Sequence, residues 1–348
     1  MRFEPAVDHT GLLAFLRETY AIAAERLIFT PMGMVACSYI VEGAGGRWFL
    51  KLLGPARLAQ IARARLGFFL PVCERLYELG HAVPRAIRTR EGALTGRFGE
   101  YEAVLTPFLA GPVVMNMPAP PAGLTERLGA AVARLHRDTP RLGLDPAACP
   151  WVERWRPHWR PALLAGMAEA ARMDGKACRV GQTRLRGLLL AEQGRIRALL
   201  ARMDELGRQA GALNPPMVLV HTDLNDSNLI WGEDGRLWLL DWEGAMLGPA
   251  ENDLFIFTGE GFEELLRVYG REMGLAHLSA AAFGYNFYRR NLEDLTDWVE
   301  TILHENTTDE QDEGDLEGIE KDCVSGWPWL EKSIERVQAV LEKLQRHV

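Results

Sequence analysis

The chain is short of cysteine, of long apolar runs and of positive charge, and each shortage removes a class of function. Its five cysteines, at 37, 73, 149, 178 and 323, are odd in number and none stands at metal-ligand spacing. Neither a disulfide framework nor a cysteine-based zinc site is therefore expected, and a reducing compartment fits. Cys37 and Cys73 lie in apolar stretches and read as small buried hydrophobes. No stretch approaches the roughly 20 uninterrupted apolar residues of a membrane-spanning helix, so no membrane partner is expected. The opening MRFEPAVDH lacks a basic region followed by an apolar run, so the expectation is a cytoplasmic protein without a secretory signal. Thirty-nine Lys and Arg face 47 Asp and Glu, a net charge of −8, which argues against a general nucleic-acid-binding surface. No internal repeat is visible, and the composition leaves a monomer and a homodimer equally open.

What remains is a globular composition, 48% hydrophobic and 25% charged over 348 residues, enough for two lobes. Residues 10–20 place Leu12, Leu13, Leu16 and Tyr20 on one face of a short helix. Three β-like runs follow at 25–30, 35–42 and 47–53, the last two joined by Gly43, Gly45 and Gly46 as a hairpin. Residues 55–80 read as helix, with Pro71 expected to interrupt or kink it. Strands are expected at 85–89 and in a further pair ending at 102–106. After Pro107 the character changes through a Pro- and Gly-rich connector, 111–123, to helices at 124–137, 185–207, 261–270, 279–304 and 328–346. The division expected is therefore 1–107, β-rich, and 108–348, helical. Residues 305–322 carry nine acidic groups against one lysine and read as a solvated or mobile loop. One β insert interrupts the helical half. PMVLVH, LIW and RLWLLD span 216–241, with Glu233-Asp234-Gly235 as the turn between the last two.

That insert carries the chemistry. It reads His221-Thr222-Asp223-Leu224-Asn225-Asp226-Ser227-Asn228, then Asp241-Trp242-Glu243 beyond the hairpin. Phosphoryl transfer from a nucleoside triphosphate needs metal ions held by hard oxygen ligands, and a carboxylate that orients the acceptor hydroxyl. Asp223 is placed to take the catalytic role, with Asn228 and Asp241 as Mg²⁺ ligands and His221 as a brace of the loop. Each residue alone would read as a turn former. His221 and Asp223 would also suit a metal hydrolase, but the other histidines are isolated. Upstream, Lys51 is the sole lysine on an expected N-terminal strand and suits the α/β-phosphates of ATP. Gly33 stands before that strand's predecessor in MGMVACS, where the backbone could approach phosphate, and Ser38 lies within it as a further nucleotide-binding candidate. Backbone groups at 105–108, with Thr106 and Phe108, are candidates for pairing with adenine.

The segment VHTDLNDSNLIWGEDGRLWLLDWEGAMLGPAENDLF resembles the phosphate-transfer motif of aminoglycoside phosphotransferases and the related choline and homoserine kinases. Lys51, the connector TPFLAG, the stretch AVARLH and Asp253 in ENDLF extend the resemblance over most of the chain. Length and the GPAENDL wording are most similar to spectinomycin phosphotransferase-like members. The resemblance implies a two-lobed, protein-kinase-like α+β fold, with a nucleotide-binding N-terminal lobe and a catalytic, substrate-binding C-terminal lobe. It also implies Mg-ATP as donor and a structural role for Asp253. A helix glutamate paired with the strand lysine is usual in the family, and Glu74 is the nominee here. The acceptor expected is a small hydroxylated molecule. Asp226, Glu243 and the acidic 305–322 segment would favour a cationic one, an aminoglycoside or aminocyclitol antibiotic among them, by charge attraction. The alternatives are a metabolite kinase of the choline or homoserine type and a non-catalytic, kinase-like binding protein.

Overall fold

Alternation with a period of two builds a sheet from the first hundred residues. The computed structural model describes residues 4–31, 33, 35–173 and 178–346. Two residues of the expected phosphate loop, Met32 and Met34, lie outside the described residues. In chain order the first elements are helix α1 (His9–Tyr20) and strands β1 (Ala24–Thr30), β2 (Cys37–Gly43) and β3 (Gly46–Leu53). Helix α2 (Arg57–Glu78), strands β4 (Gly96–Phe98) and β5 (Tyr101–Pro107), and helix α3 (Leu124–Arg137) follow. Next come α4 (Arg160–Arg172), α5 (Val180–Ala212) and β6 (Val218–Val220), then the hairpin strands β7 (Leu229–Trp231) and β8 (Leu237–Leu239). Strand β9 (Met246–Gly248) and helices α6 (Glu251–Leu254), α7 (Phe262–Met273), α8 (Ala280–Glu300), α9 (Asp309–Gly318) and α10 (Leu330–Gln345) complete the chain.

The chain divides into two compact units, Met1–Leu144 with His221–Ala245, and Asp145–Val220 with Met246–Val348. The boundary expected at 107/108 falls inside the first unit, which also takes in His221–Ala245. In that unit an antiparallel sheet runs in the order β1-β2-β3-β5-β4. Its alternate residues Cys37, Tyr39, Val41, Leu50, Leu52, Ala103 and Leu105 are buried against Leu12, Leu16 and Tyr20 of α1. The other parity puts Lys51 on the opposite face, in register with Ser38 on one side and Val104 on the other.

Two local expectations change. Helix α2 runs unbroken through Pro71. The carbonyl that loses its helical donor is that of Gly67, which is exposed and leaves room for water and for the proline ring. Residues 85–89 form no strand: the N–H of Ile87 goes to Leu105 and that of Thr89 to Ala93, and the next N–H, of Arg90, goes to Thr19, so no continuous ladder is made.

The second unit is helical around α5 and α8. The expected stripe on α5, with Leu185, Leu189, Ile196, Leu200 and Met203, packs with Tyr285, Leu292, Leu295 and Val299 of α8. The acidic segment is not a loop. Thr308 and Gln311 form a reciprocal cap at the start of α9, and Asp309, Glu310 and Asp312 occupy its first turn, where the helix dipole favours negative charge. Asp312 is fully buried and bonds Arg179 through both oxygens, at 2.8 and 3.1 Å. Among the described residues, no helix is long and apolar enough to cross a membrane.

Candidate active site

Strand β6 ends at Val220, and the next residues form a loop that binds itself closely. His221 is fully buried. Its Nε2 lies 2.6 Å from the Leu240 carbonyl, and its Nδ1 faces the Asp223 N–H at 3.3 Å. Those partners put the proton on Nε2, so the ring spans the loop and the end of β8. Its edge meets Trp242, 4.6 Å away, whose Nε1 donates to the Leu239 carbonyl.

Asp223 is oriented by two amides. Asn225 Nδ2 donates to Oδ1 at 2.9 Å, and Asn228 Nδ2 donates to Oδ2 at 2.9 Å and to the Asp223 carbonyl at 2.8 Å. Asn225 is fixed in turn, its Oδ1 accepting from the Ser227 N–H and hydroxyl. With Nδ2 of Asn228 turned inward, Oδ1 is the atom it offers to a ligand.

The hairpin returns Asp241 to this loop by register. Leu229 pairs with Leu239, and the Leu240 N–H bonds the Asn228 carbonyl at 2.8 Å, so Asp241 follows immediately after the residue opposite Asn228. Lys51 Nζ meets Asp241 Oδ1 and Glu243 Oε1, each at 2.7 Å. The side chains are 25% exposed for Lys51, 44% for Asp241 and 17% for Glu243. Burial opposes ionisation of Asp241, but the Lys51 ammonium outweighs it and holds the carboxyl below the usual range.

Two non-glycine residues here have left-handed backbone, Thr222 at φ 74° and Asp241 at φ 65°. For a β-branched residue this is strained, of order 1–3 kcal/mol. The Thr222 hydroxyl donates to the Gly244 carbonyl at 3.2 Å, and Arg65 of α2 donates to the carbonyls of Gly244 and Ala245 at 3.0 and 2.6 Å. Sequence reasoning missed Asn225, Thr222 and Arg65. The Asn225 amide two residues past Asp223 was the available signal; no local pattern marks the other two.

Other expected residues fall as follows. Ser38 is buried beside Lys51 in the sheet register. Thr106 shares that face and donates to the Phe49 carbonyl at 3.4 Å. Phe108 has its N–H on the Arg47 carbonyl and its ring under the Arg47 guanidinium, 4.2 Å away, so that N–H is taken within the protein. Gly33 has φ 71°, with open space where a Cβ would sit. Glu74 does not pair with Lys51. Because α2 continues through Pro71, the Glu74 carboxylate is presented to Arg88, which holds both its oxygens at 3.1 and 2.6 Å. Asp226 is exposed. Glu243, expected on the acceptor side, faces Lys51. Asp253 is fully buried in α6 of the second unit.

The donor set suits Mg²⁺. That ion takes one or two carboxylates and completes its shell with phosphate oxygens and water. The Asp241 carboxylate and the Asn228 Oδ1 amide oxygen are hard donors that would suit such an ion, while Glu243 Oε2 is buried with no hydrogen-bond partner. No group of three or more His, Cys, Asp and Glu side chains forms a metal cage among the described residues, so an ion here would depend on nucleotide oxygens.

A sheet-borne lysine and an Asp–Asn–hairpin–Asp constellation in one unit define a kinase-like small-molecule phosphotransferase. The chain belongs to the phosphotransferase enzyme family, whose model matches residues 36–293. Over 104 residues it is 31% identical to a homoserine kinase of Parvibaculum lavamentivorans, a match spanning 30% of this chain and 30% of that protein. Its fold is similar to that of spectinomycin phosphotransferase crystallised with ADP and spectinomycin (TM-score 0.71, 16% identity, 97% of this chain and 99% of the other). A microcompartment-associated aminopropanol kinase is also similar in fold, with a TM-score of 0.59 and 16% identity over 94% of this chain and 98% of that one. An aminoglycoside phosphotransferase from Alicyclobacillus acidocaldarius gives 0.56 and 14% over 99% and 98%.

Proposed function

We propose that the enzyme transfers the γ-phosphate of ATP to a hydroxyl of a small, amine-bearing acceptor. The observation that carries this is the convergence of Asp223, Asn228 and Asp241 through the loop bonds and the hairpin register. Asp223 would orient the acceptor hydroxyl. As that oxygen bonds to the γ-phosphorus, the bond to the ADP oxygen breaks and the hydroxyl proton passes to the Asp223 carboxylate. Asn228 and Asp241 would hold Mg²⁺, which when bound neutralises phosphate charge. Lys51 would hold the α/β-phosphates.

Asp223→Asn tests the assignment. It should fold and bind nucleotide as the wild type does, while turnover falls by two or more orders of magnitude. Retention of more than about a tenth of kcat, a loss of under ~1.4 kcal/mol, would remove Asp223 from the role.

For the acceptor, the exposed Asp226 beside Asp223 supports a cationic molecule. Spectinomycin, aminopropanol and homoserine, named for the similar proteins, all carry amines. The sequence match to a homoserine kinase supports an amino-alcohol metabolite, while the spectinomycin enzyme shares the fold. Melting shifts with Mg-ADP plus spectinomycin, homoserine or aminopropanol would separate the two readings.

A further inference from the structure

We propose that Glu243, and not a helix carboxylate, is the residue that positions Lys51 for the nucleotide phosphates, with Asp241 the partner that the lysine gives up when nucleotide binds. The inference rests on the phosphotransferase reading above. It begins from an absence on α2. Between residues 57 and 73 that helix carries no Asp or Glu at all. Its first acid, Glu74, is engaged by Arg88, and its second, Glu78, by Arg75. No acid of α2 is therefore left to hold the strand lysine.

Lys51 instead has two carboxylates at equal distance, and they are not equivalent. Asp241 is the more exposed and is the ligand offered to metal, whereas Glu243 is largely buried. A charge-assisted bond gains strength where water is excluded, so Glu243 is the partner to retain. With Asp241 as its sole partner, the lysine would compete with Mg²⁺ for one carboxylate. With Glu243 in place, Asp241 can turn to the metal while the ammonium stays oriented.

Glu243 is itself firmly held. It lies in the turn Trp242–Gly244, whose Trp242 is buried and whose Gly244 carbonyl accepts from both Thr222 and Arg65. A Cβ at Gly244 would lie 2.4 Å from the Thr222 hydroxyl and 3.1 Å from the His221 carbonyl oxygen, so a larger residue there would have to displace the Thr222 side chain. The helix thus acts in reverse. It contributes a cation, Arg65, that fixes the loop, and the loop contributes the anion that fixes the lysine.

A double-mutant cycle tests this, with wild type, Glu243→Gln, Lys51→Met and the double variant. The readouts are the Kd for ADP in EDTA, the Kd for Mg-ADP and the rate of Mg-ATP consumption. Glu243→Gln should weaken ADP about fivefold or more with and without Mg²⁺ and slow turnover about tenfold, whereas in the Lys51→Met background it should change each by under about twofold. Glu243→Asp, which keeps the charge, should recover part of the affinity, and serves if the glutamine variant fails to fold. Glu74→Gln should leave nucleotide affinity unchanged. Loss confined to Mg²⁺-containing solutions, or an equal further loss in the Lys51→Met background, would overturn the proposal by making Glu243 a metal ligand or a structural prop. Unaltered binding and turnover in Glu243→Gln would overturn it too. A wild-type chain that binds neither ADP nor Mg-ADP would overturn the nucleotide-site reading on which it rests.

Discussion

Glu251 is a buried acid whose ionisation the fold resists, and its replacement by glutamine should flatten the pH dependence of stability. Glu251 Oε1 accepts the Ser279 N–H at 2.8 Å, while Oε2 is buried with no hydrogen-bond partner. Burial, only partly offset by backbone hydrogen bonds, raises the carboxyl from 4.5 to about 7. Below about 4.5 the group is protonated in both folded and unfolded chains, and its stabilising contribution is fully present. As pH rises the unfolded chain releases the proton first, and the contribution is lost until the folded group also ionises near 7. At about 1.4 kcal/mol per pH unit, the interval of some two and a half units corresponds to a loss of order 3 kcal/mol. The assay is urea unfolding of wild type and Glu251→Gln at half-unit steps from pH 4.5 to 8. Asp294, raised by burial to about 6, titrates in the same window, so the difference between the two proteins is the informative quantity. That difference should shift in the variant's favour across the window and then level off. Parallel curves would refute the reasoning and show that Glu251 finds a partner for its charge.

The site yields three more expectations. Asp241→Ala should abolish the Mg²⁺ dependence of nucleotide binding in calorimetry, because Asn228 alone is a poor Mg²⁺ site. Asp226→Asn should raise KM for a cationic acceptor and leave KM for ATP near its original value, and added salt should weaken acceptor binding less in the variant than in the wild type. Thr222→Gly should melt no lower than the wild type, since relief of a 1–3 kcal/mol strain offsets one lost hydrogen bond of about 1 kcal/mol, yet turn over more slowly. Thr222→Ala, which keeps the strain and loses the bond to Gly244, should melt lower.

What the sequence made legible was whatever depends on residues close together in the chain. The alternation Leu50, Lys51, Leu52 already requires the lysine to leave the core face, and register then sets it beside Ser38. Asp223, Asn228 and Asp241 are linked by a five-residue step and one hairpin, so their convergence follows from local geometry. The illegible parts depend on partners far along the chain. Residues 305–322 look solvated by composition, but the charge of Asp312 is matched by Arg179, 133 residues away. Glu74 looked like the lysine's partner because an acid on the helix after the strand is where one is sought. Its fate was decided by a helix that absorbed Pro71 and by Arg88 beyond it. Lys51 and Glu243 are 192 residues apart, and nothing in DWE distinguishes an acid that meets the acceptor from one that meets the lysine. Charge alone therefore identifies the acids of such a site, while the backbone that carries them decides which cation each one meets.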